Sequence, residues 1–186
     1  MNHEEELKAI LFQNEVLTSI FEKASILDLP DWYLGAGAIA QTVWNHKNGF
    51  DLSQGIKDYD LVYFDTDITE KKQSQYIRKA KEPFGDLPVD IVNEAKVHLW
   101  YREQFGKDIL PYTSTESAID TWPTTATSIG ITRTTNGEVK IYAPYGLDDL
   151  LSLTVRANKV LISKAVYQQK VEKWIKVWPS LNIIPW

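Results

Sequence analysis

Apolar positions along the chain follow two periods, and each period predicts an element. Over residues 4–24, Leu7, Ile10, Leu11, Val16, Ile20 and Phe21 form a helical stripe, since residues three or four apart share a helix face. Pro30 breaks that helix because it lacks a donor and restricts the residue before it. Trp32, Tyr33 and Leu34 read as a short strand, Gly35-Ala36-Gly37 as a turn, and residues 38–45 as a second helix. Residues 49–55 are a loop. Residues 59–64, rich in aromatic and β-branched side chains, predict a strand. Residues 69–81 predict a helix capped by Thr69, residues 83–86 a turn, and residues 87–92 a third strand. Asn93 is placed to cap a helix over 94–104, which Gly106 stops. Residues 114–121 predict a short helix. Residues 126–132 and 139–142 predict a hairpin across Asn136-Gly137, a strong turn signal. The remainder reads as helical, over 147–154 and 163–177.

The resulting order is α-β-α-β-α-β-α, then two strands, then helices. It predicts a mixed α/β (α+β) fold with one mixed sheet flanked by helices. Residues 1–143 would form a catalytic core and 144–186 a helical C-terminal part packed on it, or the two would make one domain.

Composition narrows the chemistry. The chain has 186 residues and no cysteine, which excludes disulfides, zinc–thiolate sites and a thiol nucleophile. A three-histidine zinc site would need all of His3, His46 and His98, with His3 at a fraying end, and is not expected. No run approaches the roughly 18–20 apolar residues that span a bilayer. The acidic start over residues 1–6 lacks the basic region of a signal peptide, so a soluble cytoplasmic protein is expected. The net charge of −5 disfavours binding to extended nucleic acid. The charge is uneven: residues 133–186 hold eight Lys/Arg against four Asp/Glu, or +4, leaving −9 on residues 1–132.

Candidate chemistry lies in two strands and one turn. Asp58 and Asp60 bracket the start of a strand, and side chains two apart point to the same face. Two carboxylates that close repel unless a cation lies between them. Magnesium suits such a pair because it takes oxygen ligands from a few carboxylates and substrate phosphates. Asp90 is the one charge in the next apolar strand. If the strands pair, the three acids can hold two metal ions about 3.5–4 Å apart and align an in-line displacement. Upstream, Gly35 and Gly37 turn a strand into a helix, whose first N–H groups favour phosphate. Asp65 and Asp67 read as turn residues, and His98 as a structural helix histidine. Among the basic C-terminal residues, Arg156, Lys159, Lys164 and Lys173 are candidates for a triphosphate, with Arg156 and Lys164 preferred.

The glycine turn, Asp-x-Asp on a strand and a single acid on the next strand resemble the nucleotidyltransferase superfamily typified by DNA polymerase beta. The stretches GAGAIAQTVWN (35–45), DYDLVYFD (58–65), PVDIVN (88–93), VHLWYR (97–102) and YAPYGLDD (142–149) resemble an uncharacterised bacterial family within it, the "nucleotidyltransferase family proteins". The resemblance implies a polymerase-beta-like fold and transfer of a nucleoside monophosphate from an NTP to a hydroxyl acceptor, with pyrophosphate leaving. It implies that Asp58, Asp60 and Asp90 bind Mg2+ or Mn2+, that Asp90 helps deprotonate the acceptor, and that Gly35, Gly37 and Ala38 shape the triphosphate pocket. The superfamily turn commonly carries a serine after its glycine. This chain reads Gly-Ala-Gly-Ala, leaving backbone N–H groups for the phosphates. The acceptor is expected to be small, and a homo-oligomer stays open. Two alternatives remain: a non-catalytic nucleotide-binding or partner-binding (antitoxin-like or regulatory) protein on the same fold, and a metal-dependent hydrolase using the same carboxylates.

Overall fold

A computed structural model describes residues 2–186; Met1, the first residue of the acidic start, lies outside them. The N-terminal stripe folds as two helices, α1 (His3–Leu11) and α2 (Glu15–Ala24), where one was expected. Asn14 is the reason. Its buried side chain accepts from the Val16 and Leu17 N–H groups, so a helix starts there instead of running through. His3 is not frayed: Asn2 caps its helix and its Nδ1 lies 3.1 Å from Asp148.

The chain continues through β1 (Tyr33–Gly35), α3 (Gly37–Asn48), β2 (Tyr59–Tyr63), α4 (Glu70–Phe84) and β3 (Val89–Asn93). Thr69 caps α4 as expected, but the helix runs through Pro83 to Phe84. Proline in a last turn forfeits one hydrogen bond, and the buried Phe84 ring anchors that turn in the core. Asn93 caps a single 3-10 turn (Glu94–Lys96) before α5 (Val97–Phe105), which Gly106 ends in the left-handed region. Then follow α6 (Thr115–Ile119), β4 (Gly130–Arg133) and β5 (Val139–Tyr142). β4 starts later than the predicted 126. Thr124 draws the preceding residues into a turn, its carbonyl accepting from the Thr127 and Ser128 N–H groups.

The last part is α7 (Asp148–Leu151), β6 (Thr154–Val155), α8 (Lys164–Val177) and β7 (Asn182–Ile183). It is not wholly helical, which corrects the sequence expectation. Leu153, at φ 59°, turns the chain out of α7, and β6 pairs in parallel with β7.

The main sheet has the order β3-β2-β1-β4-β5. β1 is antiparallel to β2 and β4, whereas β2 and β3 are parallel, joined by α4 as a βαβ crossover. The register lines up Ile91, Leu61, Leu34, Ile131 and Ile141 across all five strands. This row faces the main core, which also holds the apolar faces of α1 to α4. α8 docks on α3 through Trp44, whose ring meets Trp174 and Trp178 edge-on, each at 5.3 Å. Edge-to-face packing is the favoured geometry for such rings.

Candidate active site

The next register row faces the other way. It reads Asp90, Asp60, Gly35, Gly130 and Tyr142 across the same five strands. Asp60 and Asp90 are therefore direct neighbours on one face, and Asp58 extends that face by the period of two. The loop that delivers Asp58 is held from below by two buried asparagines. Asn14 donates to the Leu52 carbonyl, and Asn45 donates to the Leu52 and Gln54 carbonyls. Asn45 also accepts from the Trp178 indole at 2.6 Å, so one residue ties the loop to the C-terminal helix.

The two glycines in this row explain each other's surroundings. A Cβ on Gly35 would lie 2.7 Å from the Ile129 carbonyl and 2.8 Å from the Trp122 ring; one on Gly130 would meet the Tyr33 ring at 2.9 Å. Gly35 thus lets Trp122 lie on the strand beside Asp60. Between the glycines of the turn, Ala36 sits at φ 55°, ψ −129°, a region that costs an L-residue on the order of 1–3 kcal/mol. α3 begins there with no side-chain cap, which leaves the N–H of the half-buried Gly37 available to an anion. Ala38 is buried as a whole residue, so it closes the floor of the turn, and the half-buried Gly37 is the residue there that an anion can reach.

The acids perturb one another. Burial first, then the charges of Asp58 and Asp90, push the Asp60 carboxyl up from 3.8 to about 6. Lys170 of α8 counters this, being the cation whose field reaches both Asp60 and Asp58; its own burial lowers its pKa. Sequence reasoning chose other cations. Arg156 is held by Asp149 at 3.1 Å, and Lys164 is exposed at the start of α8. Lys170 carries a signal that was there to read: it sits among Tyr167, Val171 and Trp174 on the helix face turned toward the protein.

Glu94 was also passed over. It is 5% exposed and has no hydrogen-bond or ion-pair partner among the described residues. Burial and the Asp60 charge push its carboxyl from 4.5 to about 8. Its signal was the alternation Asp90, Val92, Glu94 running past the end of β3. Lys96, in contrast, is engaged by Glu70 and Gln73, and Arg102 by Asp108. Asp65 and Asp67 are turn residues: Asp65 accepts from the Tyr76 hydroxyl, and Asp67 from Thr69.

Beside the aspartates lies a cavity of about 600 Å³ whose wall includes Glu94, Trp100, Tyr101, Tyr112, Trp122 and Lys170. Among the described residues no three Asp, Glu or His side chains are gathered as a ready-made metal cage. The donor set still suits a hard cation. All three aspartates offer oxygen only, and Asp60 sits in a negative field that a cation relieves.

No helix is long and apolar enough to cross a membrane among the described residues. Comparison with curated proteins gives no match. Among solved structures, one described by the words "The NMR structure of the protein reveals a CCA-adding enzyme head domain" superposes with a TM-score of 0.78 at 23% identity, over 98% of this chain and 96% of that one. The chain thus shares the fold of that head domain. A family model described as Nucleotidyltransferase matches residues 22–183, and the chain belongs to that family.

Proposed function

We propose that this nucleotidyltransferase moves a nucleoside monophosphate from an NTP to the hydroxyl of a small acceptor, with divalent metal held by Asp58, Asp60 and Asp90. The observation that carries this reading is the pairing of Asp60 with Asp90 across β2 and β3, on the sheet face that also bears Gly35 and leads into the uncapped start of α3.

Mg2+ or Mn2+ at these carboxylates supplies charge neutralisation and alignment for the displacement. The chain's own groups do the rest. The N–H of Gly37, at the uncapped start of α3, binds a phosphate oxygen. Lys170 adds a positive charge between the aspartates and the cavity. Asp90, exposed on the edge strand, takes the proton from the acceptor hydroxyl. The acceptor oxygen bonds to the α-phosphorus, the bond to the bridging oxygen breaks, and pyrophosphate leaves with that electron pair. In this reading residues up to 143 supply the carboxylates and the turn, while 144–186 supply Lys170. A triphosphate substrate and a chain without cysteine suit the cytoplasm.

The test is a screen of all four NTPs with magnesium or manganese, reading thermal shift and pyrophosphate release. Binding of one NTP with metal-dependent pyrophosphate release supports the reading. A folded protein that binds neither metal nor any NTP in calorimetry overturns it.

A further inference from the structure

The cavity beside the carboxylates is built for something, and its chemistry is selective. Its wall is mostly apolar, with Trp100, Tyr101, Phe105, Tyr112 and Trp122 presenting aromatic surface. Its volume of about 600 Å³ falls in the range of small-molecule sites. One acid lines it, the buried Glu94, which is 5% exposed. Two lysines also line it. Lys107 is exposed at the rim, and Lys170 is directed by its field toward Asp58 and Asp60. Neither forms an ion pair with Glu94 among the described residues.

A carboxylate buried among aromatic rings without a partner is costly to ionise, because its lost hydration is not replaced, and Glu94 answers by holding its proton up to about pH 8. A ligand cation removes that cost. Protonated amines gain both from a carboxylate and from the faces of aromatic rings. The cavity shares Lys170 and Glu94 with the electrostatic surroundings of Asp60; the three aspartates do not line it, so a molecule lodged there must extend past Lys170 and Glu94 to meet them.

We propose that this cavity is the acceptor subsite, and that the acceptor is a compact molecule with an apolar or aromatic body, a protonated nitrogen paired with Glu94, and a hydroxyl directed to the aspartates. The proposal rests on the transfer reading for the word acceptor. The site and its charge preference stand on the cavity alone.

Three probes share one body and differ in the charge at its end: tyramine (cationic), tyrosol (neutral) and 4-hydroxyphenylacetate (anionic). Binding of each to the full-length protein is measured by NMR titration at about pH 8.5, where Glu94 is mostly ionised and tyramine still protonated, without metal or NTP. The expected order is tyramine, then tyrosol, then 4-hydroxyphenylacetate, with tyramine at least about tenfold tighter than tyrosol. Glu94→Gln is expected to erase the advantage of tyramine while keeping tyrosol binding. Trp100→Ala, at the partly exposed wall, is expected to weaken tyramine and tyrosol alike, and it serves if Glu94→Gln does not fold. Equal binding of tyramine and tyrosol, a preference that survives Glu94→Gln, no binding of tyramine at millimolar concentration, or shifts that map away from the cavity overturns the proposal. Because no nucleotide is present, such a failure leaves the transfer reading untouched. Loss of NTP binding in the screen above would strike that reading and leave the probe result standing.

Discussion

Two rows of side chains, adjacent in register, cross the same five strands and share almost nothing. Ile91, Leu61, Leu34, Ile131 and Ile141 lie toward the helices, the middle three fully buried and the two at the sheet edges partly so. Asp90, Asp60, Gly35, Gly130 and Tyr142 lie on the side of the cavity and the carboxylates. The first row holds the sheet to its helices, and nothing in it has chemistry to perform. The second gives up packing at its glycines and accumulates like charge at its acids, which is how functional sites commonly differ from the scaffold beneath them. One residue of chain separates the two roles at Asp60 and Leu61.

That adjacency makes a sharp test. Asp60→Ala is expected to lower pyrophosphate release by about a thousandfold or more, the scale of a lost charge-stabilising group, with a melting temperature unchanged or raised. Leu61→Ala next door should do the reverse. It should destabilise by about 2–5 kcal/mol in urea unfolding, while molecules that remain folded keep most of their activity. If both variants lose stability equally, the two faces are not divided as described.

Lys170→Met should raise KM for the NTP by roughly ten- to a hundredfold, the worth of one charge-assisted contact, while Lys164→Met leaves it unchanged. Steady-state kinetics with both variants checks which cation serves the site.

Two acids on the cavity side of the sheet, Asp60 and Glu94, also give the metal-free protein a pH signature. Asp60 and Glu94 have folded-state values of about 6 and about 8, above their ordinary 3.8 and 4.5. Groups shifted upward favour the protonated folded state, so stability falls as pH rises, over roughly pH 4–6 for Asp60 and 4.5–8 for Glu94. The groups facing Glu94 are Asp60, Tyr112 and Lys170. Chemical denaturation with chelator present should show Glu94→Gln more stable than the natural protein at pH 8.5, and the two alike at pH 4. Divalent-metal binding should weaken as pH falls through about 6, as Asp60 takes up its proton.

The smallest effect concerns the turn. Ala36→Gly should stabilise the fold by about 1 kcal/mol, because glycine occupies positive φ without strain. Thermal unfolding reads this directly.

Much of this division is legible in the sequence, because alternation along a strand is a local property. Asp58, Asp60 and Asp90 stand out as charges in apolar strands, and the hairpin announces itself through Asn136-Gly137. The parts that escape depend on distant contacts. Whether residues 4–24 form one helix or two turns on Asn14, whose side chain also bonds Thr42 and Leu52, a partnership no window around it reveals. Lys170 and Glu94 come near the aspartates when α8 and the end of β3 are brought to the sheet. Both sat at inward positions of a periodic pattern, where their charge was the anomaly. Arg156 drew attention for its charge alone, and Asp149 had already claimed it.

The pairing of Asp60 with Asp90 has one more consequence. A parallel strand pair that slipped by one residue would present Ile91 to the carboxylate face and bury Asp90 among the core side chains, since alternation inverts with every step. Only the correctly zipped pair offers two oxygen donors side by side. A cation that binds those donors therefore binds and stabilises the properly assembled sheet and no other. Under the proposed metal binding, Asp60 and Asp90 would thus act as a proofreading mark on the fold itself.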